Sequence, residues 1–316
     1  MSTQNPDGKS QIRKHYYLDQ YVVIAPKRTH SLHHEEFTKV GGLRNPPLED
    51  EPSVYEIPDE TGKWAVKVIS NIYPAFSSDN EKAYGAQEVV LVAREPSDTP
   101  IGRQPLDQIE RVLMAYQHRI AALRGMKYIN YVSVFHNQGL EAGASVKQTH
   151  SQIIATQMIP PTLRRHAQDF SQLRQRFGVS PMSRAMIWER ELQTRVIYSD
   201  RYMSAVCPYA SLYPFEVWIV PKAQVKSIRE LGRNQLRSLA IALKVVVLGL
   251  ETEQISYNYH LVEDIKGMDN HFYIQLIPRP NVWAGFELNT GVAINPVAPE
   301  EAAQWYRSFI EERDAL

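Results

Sequence analysis

Cysteine is nearly absent from this chain, and its scarcity limits what the protein can be. Cys207 is the only cysteine among 316 residues. An intramolecular disulfide is therefore impossible, and a zinc site built from several cysteines is excluded. Excess charge is also absent, because 35 lysine and arginine residues balance 35 aspartate and glutamate residues. This balance argues against a protein that binds nucleic acid or a membrane surface through bulk electrostatics.

Long apolar runs are missing as well. The longest run, around residues 239–250, is interrupted by Lys244 and is too short to cross a bilayer. Residues 1–11 are polar and predict a disordered leader rather than a signal peptide. We therefore expect no contact with a membrane and a cytoplasmic location. The length is sufficient for one large domain or two ordinary ones.

The stretch from Asn137 to Ile154 joins a turn-rich loop to a polar strand. Small residues in the loop are Gly139, Gly143 and Ser145. Side chains of a strand alternate between faces, so Gln148, His150 and Gln152 would share one face. Histidine is the side chain best suited to act as a base, nucleophile or metal ligand near neutral pH. The simpler alternative is a half-buried strand whose polar residues face water.

The order of the predicted elements repeats along the chain. Residues 12–26 predict a hairpin, and residues 41–62, rich in proline and acidic residues, predict a long loop. Strand-like segments follow, then a helix opened by Pro105, a further strand and the stretch described above. From Arg195 the same order recurs, with its helix starting at about Asn234.

Matching residues indicate a duplication of domain size rather than a short repeat. The proposed matches are Glu88 with Glu216, Gln152 with Gln275, and Asn71–Tyr73 with Asp200–Tyr202. We assign residues 12–175 to an N-terminal domain and residues 176–316 to a C-terminal domain. The two copies differ, because Tyr273 stands where the first copy has His150. We therefore expect a single site, in the N-terminal copy.

Several motifs resemble one enzyme family. The pattern N-x-G-x-x-A-G-A-S followed by T-H-S-Q-I-I-A is similar to the active-site segment of galactose-1-phosphate uridylyltransferases and related sugar-nucleotide phosphorylases, a branch of the histidine-triad superfamily. Further matching pieces are Arg28, Asn71-x-x-Pro74-Ala75, Pro214-Phe215-Glu216 and Gly285-Phe286-Glu287. The resemblance extends from about residue 12 to residue 310. It implies an α+β fold of duplicated histidine-triad-like half-domains, with a mainly antiparallel sheet flanked by helices.

The resemblance also implies a chemistry for the site. His150 would attack the α-phosphorus of a nucleotide sugar, and the UMP group would then pass to a hexose 1-phosphate in a ping-pong reaction. Gln152 would stabilise phosphoryl charge, and Ser145 and the amides around Gly143 would hold phosphate oxygens. The alternatives are a phosphorylase that uses inorganic phosphate on an NDP-sugar or dinucleotide, and a catalytically degraded nucleotide-binding protein.

The remaining predicted residues bind substrate. Those expected near the nucleotide or its phosphates are Arg28, Asn71, Asn137 and Gln148. Those expected to face the sugar are Gly285, Phe286 and Glu287. Partners would be a nucleotide sugar and a sugar phosphate or phosphate, and family members often form homodimers with the site near the interface.

Two metal sites of the family lack ligands in this sequence. The structural zinc uses a C-x-x-C pair and the first histidine of a His-x-His, where this chain has Gln148. A second site uses another His-x-His pair, of which only His271 remains, with Tyr273 at the other position. We predict that the zinc site is lost and that no cofactor is required.

Overall fold

One antiparallel sheet of ten strands forms the centre of the computed structural model, and a two-stranded sheet is separate from it. The structure describes residues 11–14, 21–24, 48–94, 97–280 and 283–314. The strands are β1 (Gln11–Lys14), β2 (Tyr21–Ile24), β3 (Ser53–Pro58), β4 (Trp64–Ser70), β5 (Gly85–Leu91), β6 (Tyr131–Gln138), β7 (His150–Thr156), β8 (Val196–Ser199), β9 (Met203–Val206), β10 (Val217–Pro221), β11 (Tyr257–Val262) and β12 (Tyr273–Pro278). The helices are α1 (Leu106–Arg124), α2 (Pro161–Phe177), α3 (Pro181–Leu192), α4 (Arg233–Thr252), α5 (Gly285–Thr290) and α6 (Pro299–Asp314).

The strand order shows that the two halves of the chain have the same topology. The large sheet runs β3-β4-β5-β7-β6-β11-β12-β10-β9-β8. From one edge of the sheet to its middle, the first half contributes β3-β4-β5-β7-β6. From the other edge to the middle, the second half contributes β8-β9-β10-β12-β11. The halves meet where β6 pairs with β11, and Phe135 lies opposite His260. The predicted duplication and the α+β class are confirmed.

Helices α1 and α4 cover one face of this sheet. Their apolar positions recur at helical spacing, and the side chains on that stripe, such as Leu113 and Leu243, are fully buried. They pack against alternate strand residues, including Ile153 and Ala155 of β7. Truncation of such a side chain to alanine typically costs about 2–5 kcal/mol of stability. The packed face leaves the opposite side chains of each strand, including His150, on the other face of the sheet.

The pairing register defines which residues of the two halves are equivalent. Val89 of β5 lies opposite Gln152, and Trp218 of β10 lies opposite Gln275. The matched glutamines therefore make Val89 equivalent to Trp218.

Two positions earlier, the register makes Gln87 equivalent to Glu216, so the predicted match of Glu88 with Glu216 is wrong by one residue. A one-residue slip moves a side chain to the opposite face of a strand. Glu88 lies on the helix-covered face, where it forms an ion pair with Arg119 of α1 at 2.7 Å.

Two further predictions about the order of elements are wrong. The predicted loop over residues 41–62 contains β3 in its described part. Asp200 caps the turn between β8 and β9 by accepting backbone N–H bonds, as Asp59 does between β3 and β4. Asp200–Tyr202 therefore corresponds to the β3–β4 turn and not to Asn71–Tyr73, which follows β4.

The proposed division at residue 175 falls inside α2, and strands from both halves join one sheet. The two assigned domains stay a prediction. Pairing of β1 with β2 agrees with the predicted hairpin. The leader up to residue 10 and Arg28 lie outside the described residues. In the part of the chain that is described, none of the helices is long and apolar enough to span a membrane.

Candidate active site

β7 lies inside the first half of the sheet, between β5 and β6. Its first residue, His150, is opposite Leu91 and is 9% exposed. Continuation of the β6–β7 register by one residue sets Asn137 opposite His150, on the same face. Gln152 lies two residues along this face. The structure therefore brings together three residues that the sequence predicted for the site.

His150 is held in one tautomer. Its Nδ1 atom lies 2.8 Å from the carbonyl oxygen of Gln148. A carbonyl can only accept, so Nδ1 carries the proton and Nε2 keeps its lone pair. Burial lowers the pKa of His150 below its ordinary value, and the bond to the Gln148 carbonyl partly opposes this shift. At neutral pH the lowered pKa favours the uncharged ring, whose Nε2 has the lone pair that a nucleophile requires.

A chain of two carboxamides supports Gln152. The backbone N–H of Ala75 donates to Oε1 of Gln87 at 2.9 Å. Nε2 of Gln87 then donates to Oε1 of Gln152 at 3.2 Å. The Nε2 protons of Gln152 remain for a ligand. Gln87 was missed from the sequence because the repeat was matched through its neighbour, Glu88.

The loop in front of β7 takes a conformation that glycine permits. Gly139 and Gly143 have φ angles of +87° and +80°, in the left-handed region. The N–H groups of Gly143 and Ala144 donate to carbonyl oxygens of the same loop, at 2.9 and 3.1 Å. These two N–H groups already have acceptors within the loop. Of the predicted phosphate contacts of the loop, the hydroxyl of Ser145 is exposed and can meet a ligand.

The second half of the chain anchors this loop. Nδ2 of Asn258, on β11, donates to Oδ1 of Asn137 and to the carbonyl oxygen of Ala142, both at 2.8 Å. The hydroxyl of Ser256 donates to Glu141. These bonds join the loop in front of β7 to the second half of the chain.

A buried polar network lies behind β7, on the helix-covered face. The hydroxyl of Ser151 is 2.5 Å from that of Tyr116 and 3.0 Å from Nδ1 of His136. Tyr259 extends the network to Tyr116 at 2.8 Å. Burial lowers the pKa of His136 to about 3, so this ring stays neutral and can accept from Ser151. The network fixes the strand that carries His150.

An apolar cluster borders the site on the side of β5. Leu91 and Val89 share the face of His150 and Gln152, and they pack with Leu48 and Ile69. Lys67 lies opposite Leu91 on β4, is 7% exposed and donates to the carbonyl oxygen of Glu49 at 2.6 Å. These side chains restrict water beside His150. Lys67 was not predicted as part of this region, since its strand is otherwise apolar.

Two other predicted residues lie close to this centre in the fold. Asn71 follows β4, donates its N–H to the carbonyl of Gln87, and accepts from the N–H of Tyr73 at 2.8 Å. Gln148 is 2% exposed, and its Nε2 has no hydrogen-bond partner in the structure. A buried amide donor without a partner is costly unless a ligand or water meets it.

The segment predicted to face the sugar lies in the second half. Gly285 begins α5, Phe286 is exposed, and Glu287 caps the helix by accepting from the N–H of Ala284 at 3.1 Å. Trp283, just before it, stacks on Tyr213 with ring centroids 5.2 Å apart. Among the described residues, no recorded hydrogen bond or ion pair joins this segment to the centre on β7.

The second half presents a different set of groups at the equivalent positions. Tyr273 and Gln275 occupy the places of His150 and Gln152 on β12. Glu216 accepts from Nε2 of Gln275 at 2.7 Å and from Nε1 of Trp218 at 2.8 Å. The position equivalent to His150 therefore carries a phenol instead of an imidazole.

The predicted loss of two metal sites concerns Gln148 in the first half of the chain and His271 in the second half. Across the described ranges, no group of three or more His, Cys, Asp or Glu side chains is placed to hold a metal ion. Gln148 stands where the family has a metal-binding histidine, and it has a buried amide donor without a partner instead of an imidazole lone pair. His271 precedes β12, and its Nε2 lies 3.3 Å from the carbonyl oxygen of Pro221. These residues do not fit the family's metals, and the loss of zinc stays a prediction.

A duplicated α+β fold in which the buried, uncharged His150 lies beside the carboxamide of Gln152 fits the class of nucleotidyltransferases. Residues 60–160 match the family model described as galactose-1-phosphate uridyl transferase, N-terminal domain. Beyond this segment, the chain is similar to galactose-1-phosphate uridylyltransferases and to related sugar-nucleotide phosphorylases.

Known relatives cover most of the chain. An ADP-glucose phosphorylase of Arabidopsis thaliana is 29% identical over 81% of this chain and 78% of its own length. A galactose-1-phosphate uridylyltransferase of Thermotoga maritima is 26% identical over 80% of this chain and 86% of its own length. The crystal structure of an Arabidopsis ADP-glucose phosphorylase with bound ADP-glucose superposes with a TM-score of 0.75 at 25% identity, covering 95% of this chain and 99% of that one.

Proposed function

We propose that the protein transfers a nucleoside monophosphate group, UMP, from a nucleotide sugar to a hexose 1-phosphate. Nε2 of His150 attacks the α-phosphorus, and the bond from that phosphorus to the leaving sugar phosphate breaks. The acceptor's phosphate oxygen then attacks the same phosphorus, and the N–P bond breaks to restore the imidazole. Each half-reaction exchanges one bond to phosphorus, so the kinetics are ping-pong.

The hydrogen bond from Nδ1 of His150 to the Gln148 carbonyl is the main support for this mechanism. It leaves Nε2 unprotonated, and burial lowers the pKa of His150 below its ordinary value, which favours the neutral ring at neutral pH. A protonated imidazole has no lone pair to offer to phosphorus. The prediction follows that activity falls only when the pH drops below the ordinary histidine pKa of 6.5.

The neighbouring predicted residues receive roles that their chemistry permits. Nε2 of Gln152 donates to a phosphoryl oxygen as negative charge develops there. The hydroxyl of Ser145 contacts a phosphate oxygen, and Asn71 and Asn137 contact the nucleotide. Gln148 offers its buried, unpartnered Nε2 to the same anionic ligand.

A phosphorylase is the second candidate. The same nucleotidyl-histidine would then be released by inorganic phosphate instead of a hexose 1-phosphate. The ADP-glucose phosphorylase of Arabidopsis thaliana is 29% identical to this chain, compared with 26% for the Thermotoga maritima transferase. That difference is small, so the acceptor must be determined by experiment.

We also propose a homodimer. The segment Gly285–Glu287 is expected to face the sugar, yet its described contacts lie in the second half, away from β7. A second copy of the chain could bring this segment to the site. A cytoplasmic location remains part of the proposal and is supported by the near absence of cysteine.

Incubation with nucleotide sugars labelled at the α-phosphate tests the central claim. UDP-glucose and ADP-glucose should leave acid-labile, base-stable label on the wild-type protein and none on His150→Ala. Tyr273→Phe, at the equivalent position, is the matched control and should label normally. If wild type labels no better than His150→Ala with either compound, the nucleophile is wrong.

Release of the label distinguishes the two candidates. Hexose 1-phosphate should discharge the labelled protein if it is a transferase, and inorganic phosphate should do so if it is a phosphorylase. Metal analysis of the same sample should find substoichiometric zinc. One tightly bound zinc per chain would contradict the predicted loss of the site.

A further inference from the structure

The equivalent glutamines of the two halves, Gln152 and Gln275, are held in opposite orientations. Each lies inside its half-sheet and hydrogen-bonds to a polar residue two positions before its register partner in the chain. In the first half that residue is the amide Gln87, and in the second half it is the carboxylate Glu216. The chemical difference between Gln87 and Glu216 determines whether each glutamine turns its carbonyl oxygen or its NH₂ group toward that neighbour.

The orientation in the first half follows from one backbone donor. The N–H of Ala75 can only donate, so the atom of Gln87 that meets it at 2.9 Å is the carbonyl oxygen. The other end of Gln87 is then its NH₂ group, and it lies 3.2 Å from Gln152. A donor requires an acceptor, so Gln152 presents its oxygen to Gln87. Its own NH₂ group is therefore turned away from Gln87.

The orientation in the second half is the reverse. Glu216 has no donor, because its two carboxylate oxygens are surrounded by protein N–H groups. These are Nε2 of Gln275 at 2.7 Å, Nε1 of Trp218 at 2.8 Å, and the N–H groups of Leu212 at 2.7 Å and Tyr213 at 3.4 Å. Gln275 must therefore use its NH₂ group toward Glu216, which turns its carbonyl oxygen away from Glu216. His260 hydrogen-bonds to this glutamine.

We propose that Gln87 is a positioning residue for nucleotidyl transfer, acting through Gln152. Its backbone-fixed amide holds the Gln152 oxygen, so that the NH₂ group of Gln152 faces the phosphoryl group beside His150. With the opposite orientation, Gln152 would present a carbonyl oxygen to phosphate oxygens, and two acceptors repel. The inference rests on the nucleotidyl transfer proposed above.

The second half indicates the variant that tests this role. Gln87→Glu has nearly the same shape as the wild-type side chain and reproduces the environment of Gln275. The carboxylate would still accept from the N–H of Ala75, and it would draw the NH₂ group of Gln152 toward itself. We expect formation of the nucleotidyl-histidine at pH 8 to slow roughly 100-fold, the magnitude typical of losing one donor to a developing anion.

The pH profile separates positioning from a loss of structure. When the introduced carboxyl takes up a proton, it can again donate to the Gln152 oxygen. The rate ratio of wild type to Gln87→Glu should therefore shrink as the pH falls from 8 to 5.5. On this face the neighbouring strands also carry His150 and Lys67, and both residues are present in wild type and in the variant.

The experiment measures single-turnover labelling from UDP-glucose and ADP-glucose at several pH values. The matched control is Glu216→Gln in the second half, which should label within about threefold of wild type after correction for the folded fraction. Gln87→Leu removes both hydrogen bonds and leaves Gln152 free to turn. It should lose roughly 10-fold, and the loss should not vary with pH.

The outcomes separate the two claims. If wild type does not label, the proposed function fails. If wild type labels and Gln87→Glu labels within threefold of it at pH 8, only the positioning role fails. If thermal melting shows that Gln87→Glu does not fold, the labelling rate of Gln87→Leu tests the positioning role instead. A pH-independent loss in Gln87→Leu supports that role, and a labelling rate equal to that of wild type overturns the inference.

Discussion

The two halves of this protein share a strand order but not a chemistry. In the first half, β7 carries an uncharged histidine with a free nitrogen and a glutamine with a free NH₂ group. In the second half, the equivalent strand carries Tyr273 and a glutamine bound to the buried carboxylate of Glu216. The backbone scaffold is therefore not what makes a nucleotidyl-transfer site. A few side chains on one face of the sheet decide it.

Substitution at the equivalent positions 150 and 273 should produce the largest contrast. His150→Ala should lower kcat/KM by roughly 10⁴-fold or more, because it deletes the nucleophile. Tyr273→Phe removes only a hydroxyl from the inactive half and should stay within about threefold. Steady-state rates with each nucleotide sugar measure both. A large loss in Tyr273→Phe would mean that the second half takes part in the reaction.

Truncation of the equivalent glutamines should give a smaller contrast. Gln152→Ala loses a donor to the phosphoryl group, and we expect kcat to fall roughly 100-fold. Gln275→Ala should change kcat by less than about threefold, although it leaves Glu216 with one donor fewer and should lower the melting temperature. Similar kcat losses in both variants would contradict the assignment of a single site.

The loops after β6 and β11 should differ in stability when a methyl group is added. A Cβ atom on Gly139 would lie 2.1 Å from the hydroxyl of Ser256, whereas one on Gly267 would meet open space. Both residues have positive φ angles. We expect Gly139→Ala to lower the free energy of unfolding by roughly 3 kcal/mol and Gly267→Ala by roughly 1 kcal/mol. Urea denaturation measures both, and equal losses would show that the loop relaxes.

Buried ionisable groups should give the two halves opposite responses to pH. Burial lowers the pKa of His136 from 6.5 to about 3, so the unfolded chain binds a proton first as the pH falls below 6.5. This group should remove about 1.4 kcal/mol of stability per pH unit in that range. Burial raises the pKa of Glu263 from 4.5 to about 7, so its contribution is lost as the pH rises between those values.

The matched variants are His136→Gln and Glu263→Gln. The first should reduce the loss of stability as the pH falls below 6.5, and the second should reduce the loss of stability as the pH rises from 4.5 to 7. Denaturant titrations at each pH compare slopes, so a constant loss of stability in either variant does not obscure the result. Unchanged slopes in both would contradict the assigned pKa shifts.

Apolar periodicity explains which elements the sequence predicts well. Helices α1 and α4 each carry a continuous buried stripe and were expected close to their observed starts. Helices α2 and α3 bury few residues, among them Ala167 and Met182, so their sequences carry a weak apolar signal. β3 lies at the edge of the sheet with mostly exposed side chains, and its composition is typical of a loop.

The sequence predicts those parts of the site whose residues are neighbours along the chain. Alternation along β7 sets His150 and Gln152 on one face, and the glycine loop is adjacent to them in the chain. The orientation of Gln152 could not be predicted, because it depends on a backbone donor at Ala75 and an amide at Gln87. These three residues come together only through the pairing of separate strands.

The seam between β6 and β11 has the geometry of an isologous contact within one polypeptide. Phe135 and His260 are equivalent residues that face each other, so an approximate two-fold axis passes between them. Two identical chains joined at such a seam must carry the same residue on both sides of the axis. Covalent fusion removes that constraint. It permits an amide at residue 87 and an acid at residue 216, and hence a different chemistry in each half.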